Sequence, residues 1–189
     1  MINLDNINKA PIIIVSAPRS GSTFVANYIA EKKNYKLFNQ PAKDEPSLHR
    51  FSLFDMQSKE YVLKEHALSL RKYMNDALHQ YSYKIRIRRR DLFKQVVSHY
   101  ISSNRKKFIF HRGEEFVNDT IPLDEHTLLR YLDFIKMHNR ETDFFPYRID
   151  MELYYEDLEF PEFNIVPTIK PLNNDELYDW AYNILKDKL

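Results

Sequence analysis

The stretch from Pro11 to Lys33, P-I-I-I-V-S-A-P-R-S-G-S-T-F-V-A-N-Y-I-A-E-K-K, reads as a buried strand, a tight loop and a helix. Ile12, Ile13, Ile14 and Val15 form a short continuous β-branched run, the pattern of an inner parallel strand covered on both faces. From Phe24 the apolar positions change to helical spacing, with Val25, Tyr28 and Ile29 on one side. Lys32 and Lys33 close the element, where the negative end of the helix dipole favours cations. Between strand and helix lie Ser16-Ala17-Pro18-Arg19-Ser20-Gly21-Ser22-Thr23. A loop of small residues entering a helix aims free N–H groups and the positive end of the dipole at one spot, which suits an anion. The chain contains 2 Gly, and one of them is Gly21, placed where a backbone is expected to come close to a ligand. An ordinary strand-to-helix turn has no need of Arg19, Ser20, Ser22 and Thr23 side by side.

Composition narrows the classes. At 189 residues the chain is expected to be a single domain, residues 1–189, with one substantial core. Hydrophobic residues make up 43% and charged residues 29%, a globular rather than a disordered balance. With 28 Lys+Arg against 27 Asp+Glu, any basic site must be local, and overall charge points to neither nucleic acid nor membrane. The absence of Cys excludes disulfides, a thiolate nucleophile and a zinc–thiolate site. The segment Met1 to Asn6 lacks a basic region and a long apolar core, and no apolar run approaches the roughly 18 residues of a membrane span. A soluble, cytoplasmic protein is expected.

Outward from the opening stretch, strand and helix patterns alternate. Tyr35 to Phe38 reads as a second strand, followed by a polar loop to Pro46 and a helical or irregular piece over Ser47 to Lys59. Tyr61 to Lys64 reads as a third strand and Leu68 to Tyr81 as a helix. Tyr83 to Arg88 reads as a fourth strand, and Asp91 to Asn104 as a helix with Phe93, Val96, Val97, Tyr100 and Ile101 on its apolar face. Arg105 to Pro122 is charged and irregular, expected as a surface loop. Asp124 is placed to cap a helix running toward Phe144, with Leu128, Leu129, Leu132 and Ile135 as its stripe. Arg148 to Tyr154 alternates as a last strand, and Asp175 to Leu185 closes the chain as an amphipathic helix. This order predicts an α/β fold: a P-loop-like parallel sheet flanked by helices.

The nucleotide-triphosphate loop G-x-x-x-x-G-K-[ST] is the natural comparison. Aligned on Gly21, this chain has Ser16 for the first glycine and Ser22 for the lysine, and keeps only Thr23. The missing lysine disfavours a Mg²⁺-dependent nucleotide kinase or hydrolase, because that lysine neutralises the terminal phosphates. Here the cation is Arg19, inside the loop, with planar paired donors. Pro18-Arg19-Ser20-Gly21-Ser22-Thr23-Phe24 resembles the 5′-phosphosulfate loop of the sulfotransferases that use 3′-phosphoadenosine 5′-phosphosulfate (PAPS), in the arginine form of the carbohydrate and tyrosyl-protein branches.

The resemblance extends to a second anion site. In that family an arginine at a strand end and a serine eight positions on hold the 3′-phosphate, and Arg90 and Ser98 match both in type and spacing. Lys64-Glu65-His66 resembles the strand-end K-x-H of the small-molecule branch, which implies His66 as the base that takes the acceptor hydroxyl's proton. Asp44 and Glu45 occupy the region where the tyrosyl-protein branch carries a glutamate base. Leu153-Tyr154-Tyr155-Glu156-Asp157-Leu158 is similar to the Y-E-D-L that follows the family's last strand, and reads as structural, capping a helix or holding a basic residue. Thr168-Ile169-Lys170 stands where the small-molecule branch covers the adenine, without a clear match. His99, next to Ser98, is expected to point away from the phosphate.

The resemblance thus implies Arg19 and His66 as catalytic residues, and Arg19, Ser20, Gly21, Ser22, Thr23, Phe24, Arg90 and Ser98 as donor-binding residues. It implies PAPS as the sulfuryl donor, a hydroxyl-bearing acceptor such as a saccharide, protein or small molecule, and no metal. Two other readings stay open: a P-loop nucleotide kinase or hydrolase, and a non-catalytic nucleotide- or nucleic-acid-binding protein. The last draws on Lys84, Arg86 and Arg88, which give one face of the fourth strand an entirely basic character. That face is expected either to pair with carboxylates or to open toward ligand or solvent.

Overall fold

The computed structural model describes residues 4, 5, 7, 11–39, 60–73, 80–106, 110–111, 119–158, 165–166 and 171–189. The segments read as a loop and helical piece over 40–59, with Asp44 and Glu45, and Thr168 to Lys170 lie outside these residues. By internal contacts the chain forms two compact units, residues 1–89 with 138–159, and residues 90–137 with 160–189.

The first unit is built on a five-stranded sheet: β1 (Ile12–Ser16), β2 (Lys36–Asn39), β3 (Tyr61–His66), β4 (Tyr83–Arg88) and β6 (Met151–Tyr154). Their order across the sheet is β2-β3-β1-β4-β6, and every pairing is parallel. The opening stretch is therefore the central strand. All five of its residues are buried, as a strand with both faces covered requires. Ile13 and Val15 share a core with Tyr61, Leu63, Phe145 and the α2 residues Ala67 and Leu70, where α2 is Ala67–Tyr73. The alternate positions Ile12, Ile14, Val62, Ile85 and Ile87 are equally sequestered. Helix α1 (Ser22–Lys33) starts two residues earlier than its apolar periodicity suggests, because Gly21 is already its N-cap. It ends at Asn34 in the left-handed conformation, φ 56°. The expected α/β architecture, a parallel sheet flanked by helices, is what forms.

The basic face of β4 is paired with carboxylates. Arg86 meets Glu152 at 2.6 Å, and Arg88 reaches Glu152 at 3.1 Å and Asp143 at 2.9 Å. The Lys84 backbone N–H donates to the Asp150 side chain at 2.9 Å, and the Asp150 N–H returns a bond to the Lys84 carbonyl at 2.9 Å. This exchange is why the last strand is shorter than its alternation predicts: pairing with β4 begins at Ile85 and Met151.

The second unit has its own core. Helix α3 (Leu92–Asn104) contributes Val96, Val97, Tyr100 and Ile101, and α5 (Asn174–Leu185) contributes Leu177, Ala181 and Leu185. Between them Leu128, Leu132 and Ile135 come from α4 (Glu125–Asp143), whose residues from His138 onward belong to the first unit. Asp124 caps α4 as expected, accepting from the Thr127 N–H at 3.2 Å and the Thr127 hydroxyl at 2.7 Å. The stretch read as one surface loop holds a two-residue strand, β5 (Phe110–His111), antiparallel to β7 (Ile165–Val166). A strand this short carries no alternation that a sequence reading can detect. Among the described residues no helix is long and apolar enough to cross a membrane.

Candidate functional site

Connections leave the carboxyl end of β1 toward β2 and β3, and that of β4 toward the opposite edge, so the order of the sheet reverses between these two neighbours. In open parallel sheets this is where a crevice forms to take a ligand. The register aligns Ser16, the last residue of β1, with His66 on one side and Ile87 on the other. The β1–α1 loop, His66 and the Arg88–Arg89 step thus leave the sheet at one end.

The loop has a constrained backbone. Arg19 has φ 59° and Gly21 φ 78°, two left-handed residues separated by Ser20. The Ser20 hydroxyl, fully buried, donates to the Ala17 carbonyl at 2.9 Å and closes the loop on itself. Ser20 therefore offers a ligand its backbone rather than its side chain. The Gly21 carbonyl receives the Phe24 and Val25 N–H groups at 3.0 and 3.2 Å. No side chain caps α1, and the N–H groups of Ser22 and Thr23 in its first turn have no acceptor within the helix. The Ser16 hydroxyl is wholly buried and makes no hydrogen bond.

Gly21 does admit a close approach, but of the protein's own ring. A Cβ at this position would collide with Cδ2 of Tyr155 and lie 2.8 Å from its Cε2. The side of Gly21 that a Cβ would occupy is thus taken by Tyr155. Tyr155 opens the short 3₁₀ turn Tyr155–Asp157 after β6. That turn holds a basic residue, as one reading of the segment anticipated: the Arg89 guanidinium lies over the Tyr155 ring at 4.7 Å, and Glu156 stands 3.9 Å from Arg89 Nε. Arg89 Nη1 donates to the Arg19 carbonyl at 3.2 Å. Burial first, and then the neighbouring Arg89 charge, push Arg19 down to about 10, with Tyr155 opposing. Two guanidinium groups thus stand near one loop, a field that an anion relieves.

His66 ends β3, with its ring 5.4 Å from that of His138 and its backbone N–H donating to the Glu65 carboxylate at 2.8 Å. Burial lowers the pKa of His138, against a raising influence of Glu141. Arg90 and Ser98 belong to the second unit. Arg90 is exposed just before Asp91, whose carboxylate caps α3 by accepting from the Lys94 N–H at 2.8 Å. Ser98 is half-buried on α3, and His99 is buried against Tyr131 and Phe134, with centroids at 4.8 and 5.1 Å. Among the described residues no group of three or more His, Asp or Glu could hold a metal ion. From the sequence, Arg88 and Arg89 are expected to add positive field for a nucleotide carrying several negative charges, and Tyr155 belongs to a segment read as structural. The stacking of Arg89 on Tyr155 is not legible there.

No family model and no curated protein matches the chain. Among solved structures it is similar to a shikimate kinase from Acinetobacter baumannii in complex with shikimate, with 14% identity, 99% of each chain covered and a TM-score of 0.45. It is also similar to an uncharacterized protein from Eubacterium ventriosum ATCC 27560, with 19% identity over 76% of this chain and 87% of that one, at a TM-score of 0.38. At these values neither likeness assigns an activity.

Proposed function

We propose that the chain is a group-transfer enzyme that seats the anionic end of a nucleotide donor at the β1–α1 loop, and that the donor is PAPS. The observation that carries this reading is the identity and setting of the loop's cation. Ser22 stands where a nucleotide-triphosphate enzyme has its lysine, and the charge is supplied by Arg19, held in a left-handed backbone beside Arg89. A planar guanidinium can give paired bonds to the oxygens that bridge or leave in sulfuryl transfer. In the reaction the acceptor oxygen forms a bond to sulfur while the bond from sulfur to the phosphate oxygen breaks, leaving adenosine 3′,5′-bisphosphate. Negative charge grows on that leaving oxygen, where Arg19 and the first N–H groups of α1 stabilise it. The acceptor's proton passes to His66, which ends the strand next to β1. The 3′-phosphate is assigned to Arg90 and Ser98 by the family resemblance.

A second reading, a kinase or hydrolase of nucleoside triphosphates, is favoured by Thr23, which keeps the hydroxyl position that binds Mg²⁺ in such enzymes. It is equally compatible with an anion loop after the central strand of a parallel sheet. Calorimetry separates the two. Adenosine 3′,5′-bisphosphate is expected to bind the wild type, and Arg19→Ala to weaken it by about a hundredfold or more. Binding of ATP with Mg²⁺ in its place, with turnover, overturns the sulfotransferase reading and establishes the second. Transfer from labelled PAPS to a panel of saccharides, peptides and small alcohols then identifies the acceptor.

A further inference from the structure

Arg19 carries a full side chain in the left-handed region, a conformation that persists only where its surroundings hold it. Three fastenings meet at this loop. The Ser20 hydroxyl ties it internally to the Ala17 carbonyl. Arg89 bonds the Arg19 carbonyl from outside, and the Tyr155 ring packs against Gly21. The two outer fastenings are joined, because the Arg89 guanidinium stacks on the same Tyr155 ring. A planar fork can present its face to an aromatic ring while donating in its own plane, which an ammonium cannot do. Arg89 Nε makes no hydrogen bond, and its nearest carboxylate, Glu156, is at ion-pair rather than hydrogen-bond distance. The guanidinium is therefore fixed chiefly by the ring and by the loop.

We propose that Arg89, stacked on Tyr155, is a positioning residue that holds the β1–α1 loop in the left-handed conformation from which Arg19 meets the donor. The effect on donor binding rests on the function proposed above; the effect on the loop's conformation does not.

The chain's 2 glycines make the conformational half directly observable. Labelling with ¹⁵N-glycine gives two backbone amide signals, and Gly113→Ala identifies that of Gly21. Because Tyr155 lies against it, the Gly21 signal carries that ring's influence. Arg89→Gln and Tyr155→Ala are each expected to displace the Gly21 signal and to weaken adenosine 3′,5′-bisphosphate by about tenfold or more. Tyr155→Phe, which keeps the ring, is expected to leave the Gly21 signal near its wild-type position. Circular dichroism reports whether each variant folds. If Arg89→Gln does not fold, Arg89→Lys replaces it, with the same displacement expected because the stacked fork is lost. An unmoved Gly21 signal in the folded Arg89 variant overturns the proposal, whatever the affinity does. A wild type that fails to bind the nucleotide sinks the donor reading instead, and leaves the Gly21 signal to decide this one.

Discussion

At Gly21 two constraints coincide that one substitution can separate. Its φ of 78° disfavours any side chain, and the space a Cβ would need is filled by Tyr155. Gly21→Ala is expected to destabilise the protein by about 2–4 kcal/mol, the sum of left-handed strain and overpacking. Removing the ring removes only the second term. The double variant Gly21→Ala with Tyr155→Ala should therefore lose less than the sum of the single losses in urea unfolding, with a coupling of about 1 kcal/mol or more. Strict additivity would mean that the ring and the glycine do not interact. The same residues mark what a sequence can disclose at this scale. Arg19 and Gly21 were legible because a near-absence of glycine and a cluster of small polar residues are local signals. Arg89 was legible only as added positive charge, and its contacts with the loop and with Tyr155 were not, since they join residues far apart in the chain. At Gly21 the sequence shows the need for a residue without a side chain, but not that Tyr155 fills the space a Cβ would take.

Strand β4 poses the question of what a basic strand does inside a parallel sheet, and its partners answer it. Burial alone would raise the pKa of Glu152, but the Arg86 hydrogen bond and the charges of Arg86 and Arg88 outweigh it, and the net shift is downward. A carboxylate held below its ordinary value contributes stability above that value, 4.5, and loses it as pH falls through the folded-state pKa. Glu152→Gln is therefore expected to lower stability near neutral pH by about 1 kcal/mol, a modest figure because the group is partly exposed and screened. The difference between wild type and variant should shrink toward zero in acid, read from urea midpoints at neutral pH, around pH 5 and near pH 3. A gap that stays constant or widens in acid would place the stabilisation elsewhere. Elements whose burial follows a simple period, such as β1, α1, α3 and α5, were legible from the sequence. The answer to β4 was not, because Asp143, Asp150 and Glu152 come from a later stretch whose charges look like ordinary surface. Strands β5 and β7 escaped for want of length.

Over the whole chain the charges nearly balance, +1 in net, so no long-range field gathers polyanions. A nucleic-acid-binding role would have to rest on a local basic surface, and the strand that suggested one has its cations committed. Arg86 and Arg88 bond Glu152 and Asp143, and Lys84 Nζ is buried, donating to the Ser82 carbonyl at 3.0 Å. Arg19 and Arg89 stand at the anion loop, and a loop built on a few backbone N–H groups and one guanidinium fits a compact terminal anion rather than a running phosphate backbone. Labelled duplex and single-stranded DNA are therefore expected to show no more than weak binding by fluorescence anisotropy at 150 mM salt. Between 50 and 200 mM the response should stay shallow, since few phosphates would be neutralised. Tight binding with a steep salt slope, retained in Arg19→Ala, would instead mean that a basic surface outside the loop is the functional one. The same titration with adenosine 3′,5′-bisphosphate should depend on Arg19 throughout. The contrast between the two ligands, in one protein at one salt concentration, separates recognition by a constrained loop from recognition by charge alone.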